Sequence, residues 1–329
     1  MKHWLVGMVA VCIPSAAAVA QAPQCTGQAQ VQVRDACQLA VDLFQYMAPQ
    51  LGTAVAGGNA TLGQGGTLGG LGHFTVGVRA NVVDGTLPQL DQVTPSTTGI
   101  PAPRQIPTTD HQPLPMPVVD AAIGVFKGFP LGLTNVGGVD LLLDAAYIPT
   151  VTTSEVSLRT PNGSLKFGYG VRLGLLQESF AIPGVSVTYL KRDLPKVTLA
   201  SNSVSGATQD SLSIQDFSVA TSAWRVVASK GFLFINLAAG VGQDKYSQSA
   251  TISTTVRNSG ITYGSGTFGV GQDVTRTNMF LDLSFNILML KVVGEVGQVS
   301  GGTIPVYNNF SKEADASRLY GSLGLRLSF

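Results

Sequence analysis

The last eleven residues, Leu319 to Phe329, alternate strictly. Leu319, Leu323, Leu325, Leu327 and Phe329 fall on one face of an extended chain, and Tyr320, Ser322, Gly324, Arg326 and Ser328 on the other. A side-chain period of two is the geometry of a β-strand, here with one apolar and one polar face. The chain carries this pattern up to an aromatic final residue, an ending rare in soluble proteins.

Composition adds a second constraint. The chain is 44% hydrophobic and 12% charged, with 39 glycines and a formal net charge of +1. Beyond the amino terminus it has no apolar run of the ~20 residues that a membrane helix needs. A transmembrane antiparallel β-barrel reconciles these facts, because apolar and polar residues then alternate along every strand. The near-zero charge argues against nucleic-acid binding, which needs a basic surface.

The amino terminus reads as an export signal, residues 1–20. Met1-Lys2-His3 is a basic head, Trp4 to Ile13 an apolar core broken at Pro14-Ser15, and Ala18-Val19-Ala20 an A-x-A site that leaves Gln21 as the mature start. Val11 and Gln24 precede Cys12 and Cys25, which is not the small-residue context of a lipid anchor. Removing the signal leaves Cys25 and Cys37. In an exported chain such a pair is expected to form a disulfide closing a small loop, with two free thiols as the alternative. C-x-x-C spacing is absent, so neither version suggests redox catalysis.

Residues 21–72 differ from the rest. Ala36, Leu39, Ala40, Leu43 and Met47 have helical spacing and predict an amphipathic helix over Arg34 to Gln50. Leu51 to Gly72 is dense in glycine, which loses the most backbone entropy on ordering. This segment is either a flexible linker or a plug packed inside a lumen.

The barrel is expected over residues 73–329. Its strands are predicted from His73 to about Val82, Val118 to Lys127, Val139 to Ile148, Ser164 to Leu176, Gly184 to Lys191, Ser211 to Val227 with a bulge near Phe217, Gly231 to Gly242, Thr275 to Ile287, Lys291 to Ser300 and Arg318 to Phe329. Proline removes ladder donors, so Leu87 to Pro117 is expected to be a loop. The count is about ten strands. It becomes twelve if Ser249–Val256 and Ile261–Val270 also cross, but their few large apolar residues favour a projecting hairpin. Parity puts the connections 84–117, 150–163, 195–209, 243–273 and 301–316 on the outer side and the short turns on the other.

Charges fall on the predicted inward faces: Arg79, Asp140, Asp144, Lys166, Arg172, Asp282, Lys291, Glu295 and Arg326. A hairpin centred near Glu155–Val156 would set Asp140 opposite Arg172. These residues line a solute-selecting pore, or pair with one another and fill a narrow lumen. With both signs interspersed, the second arrangement is favoured. Catalysis is not expected. A hydrolase triad needs a histidine beside its nucleophile, and His73 and His111 are the only mature histidines, one at a strand start and one in the proline-rich stretch, where rim histidines are more often incidental. Asp110 and His111 alone are too few for a metal site, and no phosphate-cradling motif opens a helix, so no cofactor is expected.

The closing strand resembles that of bacterial outer-membrane β-barrels. In those proteins Leu323, Leu325, Leu327 and Phe329 would be the mark read by the barrel assembly machinery. A helix followed by Gly57-Gly58-Asn59-Ala60 and the first strand resembles the FadL family of hydrophobic-compound channels, in which an amino-terminal hatch plugs the barrel. Leu114-Pro115-Met116-Pro117 to Tyr147-Ile148-Pro149 is similar to uncharacterised FadL-like outer-membrane proteins. The resemblance implies a monomer in outer-membrane lipid that passes small, hydrophobic solutes without bond chemistry. A structural or surface-interaction barrel with a closed lumen is the alternative.

Overall fold

The computed structural model describes residues 19–89, 92–148, 151–152, 156–201 and 210–329. The expected export signal lies outside them apart from Val19 and Ala20, as does Glu155 at the expected hairpin centre.

Among the described residues, ten antiparallel strands close into a ring. They are β1 (Phe74–Pro88), β2 (Thr108–Phe126), β3 (Gly138–Tyr147), β4 (Leu165–Leu176), β5 (Gly184–Asp193), β6 (Ser211–Phe232), β7 (Ile235–Asn258), β8 (Ile261–Ile287), β9 (Leu290–Ser300) and β10 (Arg318–Ser328). Each pairs with the next in sequence, and β10 returns to β1 from Thr75 opposite Ser328 to Val83 opposite Tyr320. Beyond that register Phe74 and Phe329 exchange backbone hydrogen bonds of 3.1 and 2.9 Å, and their rings stack 4.8 Å apart. Around the body of the ring closure pairs both edges of each strand, which is how such a sheet avoids unpaired backbone groups.

One end of the ring carries tight turns and the other the long connections; we call them the turn end and the loop end. Strands β6, β7 and β8 run 22, 24 and 27 residues and project past the loop end. Ser249–Val256 and Ile261–Val270 are the far part of the β7–β8 hairpin, which turns at Ser259-Gly260. The expected loop at 243–273 is therefore strand, and the ring keeps ten members. The ladder of β6 shifts between Gln215 and Ser218, next to Phe217.

The proline-rich stretch corrects an expectation. β2 begins at Thr108 and pairs with β1 through Pro117 opposite Ala80, Pro115 opposite Val82 and Pro113 opposite Asp84. Strand amides alternate between edges, so prolines spaced by two lose their donors on the same edge. On its other side β2 meets β3 only from Val118 onward. The missing donors of Pro113 and Pro115 therefore point where no strand pairs, and only 89–107 remains as connection.

Outward faces of the strands form an apolar belt that includes Val76, Val78, Leu141, Leu143, Leu173, Leu237, Leu281, Leu325 and Leu327, all exposed. Phe74 to Val82, nine residues of a tilted strand, rises about 20 Å, close to the apolar band of about 25 Å on membrane barrels. The turns extend it: Leu233 is 97% and Leu288 101% exposed at their tips.

Inside the ring lies a helix, α2 (Arg34–Ala56), preceded by a single turn, α1 (Pro23–Thr26), to which the Cys25–Cys37 disulfide ties it. The helix runs six residues past the expected Gln50, through Pro49, and is buried on nearly all sides. Wall rather than water surrounds it, so its polar residues Gln38, Asp42, Gln50 and Thr53 are buried as well.

The filled lumen as candidate functional site

Residues 19–72 enter at the loop end and leave at the turn end. Gln21 Nε2 donates to Tyr307 Oη at 3.1 Å in the 301–317 connection, and Tyr307 N and Asn308 N donate to Asp42 at 3.0 and 3.1 Å. Burial pushes the Asp35 and Asp42 carboxyls above the ordinary aspartate value, despite the hydrogen bonds each accepts. Arg276 donates to the carbonyls of Gly301, Asp315 and Ala316, and Arg318 to Thr86 Oγ1 at 2.7 Å. Parallel pairing of Asn309–Phe310 with Gln105–Ile106 knits the two connections together over this mouth.

Near mid-barrel the helix ends at Gly57, whose φ of 56° is glycine territory. Helix carbonyls there have no internal partners and carry the negative end of the dipole. The wall supplies cations: Arg192 Nη1 donates to Ala56 O at 2.5 Å and Arg225 Nη2 to Gly57 O at 2.7 Å, joined by Asn278 Nδ2 at 2.9 Å. Each arginine also has an acid, Asp144 at 3.0 Å from Arg192 and Asp244 at 2.8 Å from Arg225.

Asn59 is the next anchor. Its carbonyl accepts from Arg79 Nη1 at 2.7 Å, its amide nitrogen donates to Glu295 at 2.6 Å, and its side-chain Nδ2 to Asp282 at 2.6 Å. Asp282 and Glu295 are cross-strand neighbours on β8 and β9. The backbone passes so close that a Cβ on Gly58 would overlap the Glu295 carboxylate. Further down, Gly63 N donates to Asp282 at 2.8 Å, Arg326 Nη1 to Leu62 O at 2.6 Å and Lys291 Nζ to Gly63 O at 3.3 Å. Leu68 N reaches both oxygens of Asp140, which Arg172 holds at 2.7 Å. The segment then meets an opening of about 510 Å³ at the turn end, lined by Gln64, Thr67, Glu178, Lys291 and Arg326 among others.

Of the residues singled out from sequence, the structure brings Arg79, Asp140, Asp144, Arg172, Asp282, Lys291, Glu295 and Arg326 into one lumen around this segment. Lys166 is not among them: opposite Ala146 on the first rungs of β4, it is exposed at the loop-end rim. Sequence reasoning missed Arg192, Arg225, Asp244, Arg276, Asn278 and Arg318. Arg192 is one residue past the expected end of β5, where simple continuation of the alternation finds it. Arg225 follows the β6 register shift that breaks the period. His111 stands at the loop-end rim with Nδ1 3.1 Å from both Asp84 oxygens, and His73 lines the turn-end opening.

No family model matches the chain, and no curated relative matches it. Among solved structures it is similar to the TodX deltaS2S3 mutant monoaromatic hydrocarbon channel, at 9% identity over 78% of this chain and 89% of that one, with a TM-score of 0.32. The transport unit of the autotransporter AIDA-I from Escherichia coli matches at 9% identity over 88% and 99%, with a TM-score of 0.29. An anion-selective porin from Comamonas acidovorans matches at 9% over 78% and 98%, with a TM-score of 0.18. Likeness at this level carries no functional assignment. The class rests on the molecule itself, an all-β, closed antiparallel barrel whose lumen is filled by its own amino-terminal segment.

Proposed function

We propose that this chain is a plugged outer-membrane barrel that acts as a passive channel for small compounds. The apolar belt closed around a charged interior supports the membrane placement, because only a closed barrel lets strands cross lipid with all backbone groups paired. The short turns then face the periplasm and the long connections the outside.

One observation carries the channel reading. The plug is held at mid-barrel by hydrogen bonds from wall side chains to its own backbone, at Ala56, Gly57, Asn59, Leu62 and Gly63. Water can replace such bonds, which have charged donors, at a net cost of about 1.5–3 kcal/mol each, and none belongs to the wall ladder, so the plug can shift without unfolding the wall. The resemblance of residues 57–60 to the FadL hatch supports hydrophobic solutes as cargo.

The second reading, a closed surface-interaction barrel, draws on the complete burial of the Asp140–Arg172 and Arg225–Asp244 pairs. Planar-bilayer recording separates the two. The channel reading expects current from the Arg192→Gln/Arg225→Gln variant well above that of the parent chain. Silence from both, with solute uptake into vesicles also absent, supports the closed barrel.

A further inference from the structure

The lipid-facing wall of β5 to β8 is unlike the rest of the ring. Its register sets Lys191 opposite Ser222, Ser222 opposite Lys245 and Lys245 opposite Thr275. Lys191 and Lys245 are exposed, and among the described residues neither has a carboxylate within 4.0 Å. Two strand spacings separate their backbones by roughly 10 Å, which two lysine side chains span to meet over the Ser222 hydroxyl.

One rung toward the turns come Tyr189 and Trp224, opposite each other and half exposed. Aromatic side chains of this kind mark the membrane–water interface. Below them the wall is apolar, with a furrow of about 530 Å³ where Ala239 and Gly294 lie among Leu237, Leu281, Leu283 and Val296. Above the lysines the same face is paved with small residues, Ser218, Ala220, Ser247, Ser249 and Gly271, which leave a recess of about 450 Å³. Asp193 and Asp273 flank that recess one rung above the lysines, Asp273 accepting from Ser247 Oγ at 2.6 Å. The opposite wall carries Asp84, Asp110 and His111 at its loop-end rim instead of lysines.

We propose that this wall binds one phosphorylated glycolipid of the outer leaflet. The phosphate sits between Lys191 and Lys245 on the Ser222 hydroxyl, the sugar in the small-residue recess and an acyl chain along the furrow. Three surfaces of matching chemistry are stacked in the order in which such a lipid presents them, and the free cations are at the height of its phosphate. Charge-assisted contacts to phosphate are the strong ones. The inference rests on the outer-membrane placement above.

Trp224 makes the test direct. Trp4 is the one other tryptophan in the chain, so the full chain with Trp4→Phe reports from beneath the phosphate site. The protein goes into phosphatidylcholine nanodiscs with intact lipopolysaccharide, with the same lipid dephosphorylated, or with inorganic phosphate alone. The intact lipid is expected to shift Trp224 emission saturably, and the other two to leave it unchanged. Each of Lys191→Gln and Lys245→Gln weakens the response about tenfold, as loss of one charge-assisted contact implies. Lys196→Gln, in an exposed pair with Asp216, leaves it alone. Equal response to the dephosphorylated lipid, equal response to free phosphate, or an unaltered Lys191→Gln/Lys245→Gln variant overturns the proposal. A chain that stays wholly open to protease in the nanodisc sinks the membrane placement instead.

Discussion

Asp140 on β3 and Arg172 on β4 face each other across one rung of the ladder, joined by hydrogen bonds of 2.8 and 2.7 Å onto one carboxylate oxygen. Neither side chain sees solvent, and the same carboxylate accepts the Leu68 amide of the plug. The pair therefore couples wall to plug. Arg172→Met alone strands a buried carboxylate and is expected to cost about 3–5 kcal/mol, while Asp140→Leu/Arg172→Met recovers most of it. Unfolding midpoints in urea measure both, and a double variant no more stable than the single refutes the pairing.

The cations at the helix end give a second expectation. Arg192→Gln/Arg225→Gln removes the charged donors from the Ala56 and Gly57 carbonyls, takes the arginine partner from Asp144 and leaves Asp244 with only Asn278 and Tyr246. Amide exchange over residues 53–60 should accelerate at least tenfold, the equivalent of about 1.4 kcal/mol, with exchange in β10 unchanged. Equal acceleration in both places would mean that plug and wall open as one unit.

At Gly58 the constraint is space. Gly58→Ala puts a methyl group into the Glu295 carboxylate and should destabilise by about 1–3 kcal/mol. Trimming the partner with Glu295→Ala in the same chain should recover part of that loss. Thermal unfolding followed by the electrophoretic shift of barrels reads the difference; no recovery means that the clash lies elsewhere.

Asp42 sets a pH dependence. Its carboxyl is raised by burial, so the folded cap binds a proton more tightly than the unfolded chain does. Stability from this group is fully present below the unfolded value of 3.8 and is lost as pH rises through the raised folded value. Protection of the Tyr307 and Asn308 amides, taken against their intrinsic exchange rates, should rise on acidification from neutral, and Asp42→Asn should flatten that dependence. Protection that falls in acid would contradict the sign.

Much of the ring was legible because alternation is local: β4, β9 and β10 match their expected spans to within a residue at each end. The proline-bearing strand was not. The cost of a proline depends on which edge it faces, and that edge is set by where β3 stops. The pairing of Asp140 with Arg172 followed from register alone, whereas Lys166 has the same parity but lies too near the rim to be enclosed. The path of the plug had no local signal. Glycine density marks a chain that can pack closely, but the partners of Asn59 come from β1, β8 and β9, 20 to 236 residues away.

The position of Gln21 beside Tyr307, with Phe74 at the other end, has a consequence for how the molecule comes into being. The chain passes through a hoop made from its own later residues, and the hoop is fastened where the last strand meets the first. Either residues 19–72 already lie across the opening when Phe329 reaches Phe74, or a loop cross-linked at Cys25 and Cys37 is drawn through a finished hoop afterwards. The first order of events needs no passage of a covalently closed loop, and it makes the amino-terminal segment the form around which the wall is laid.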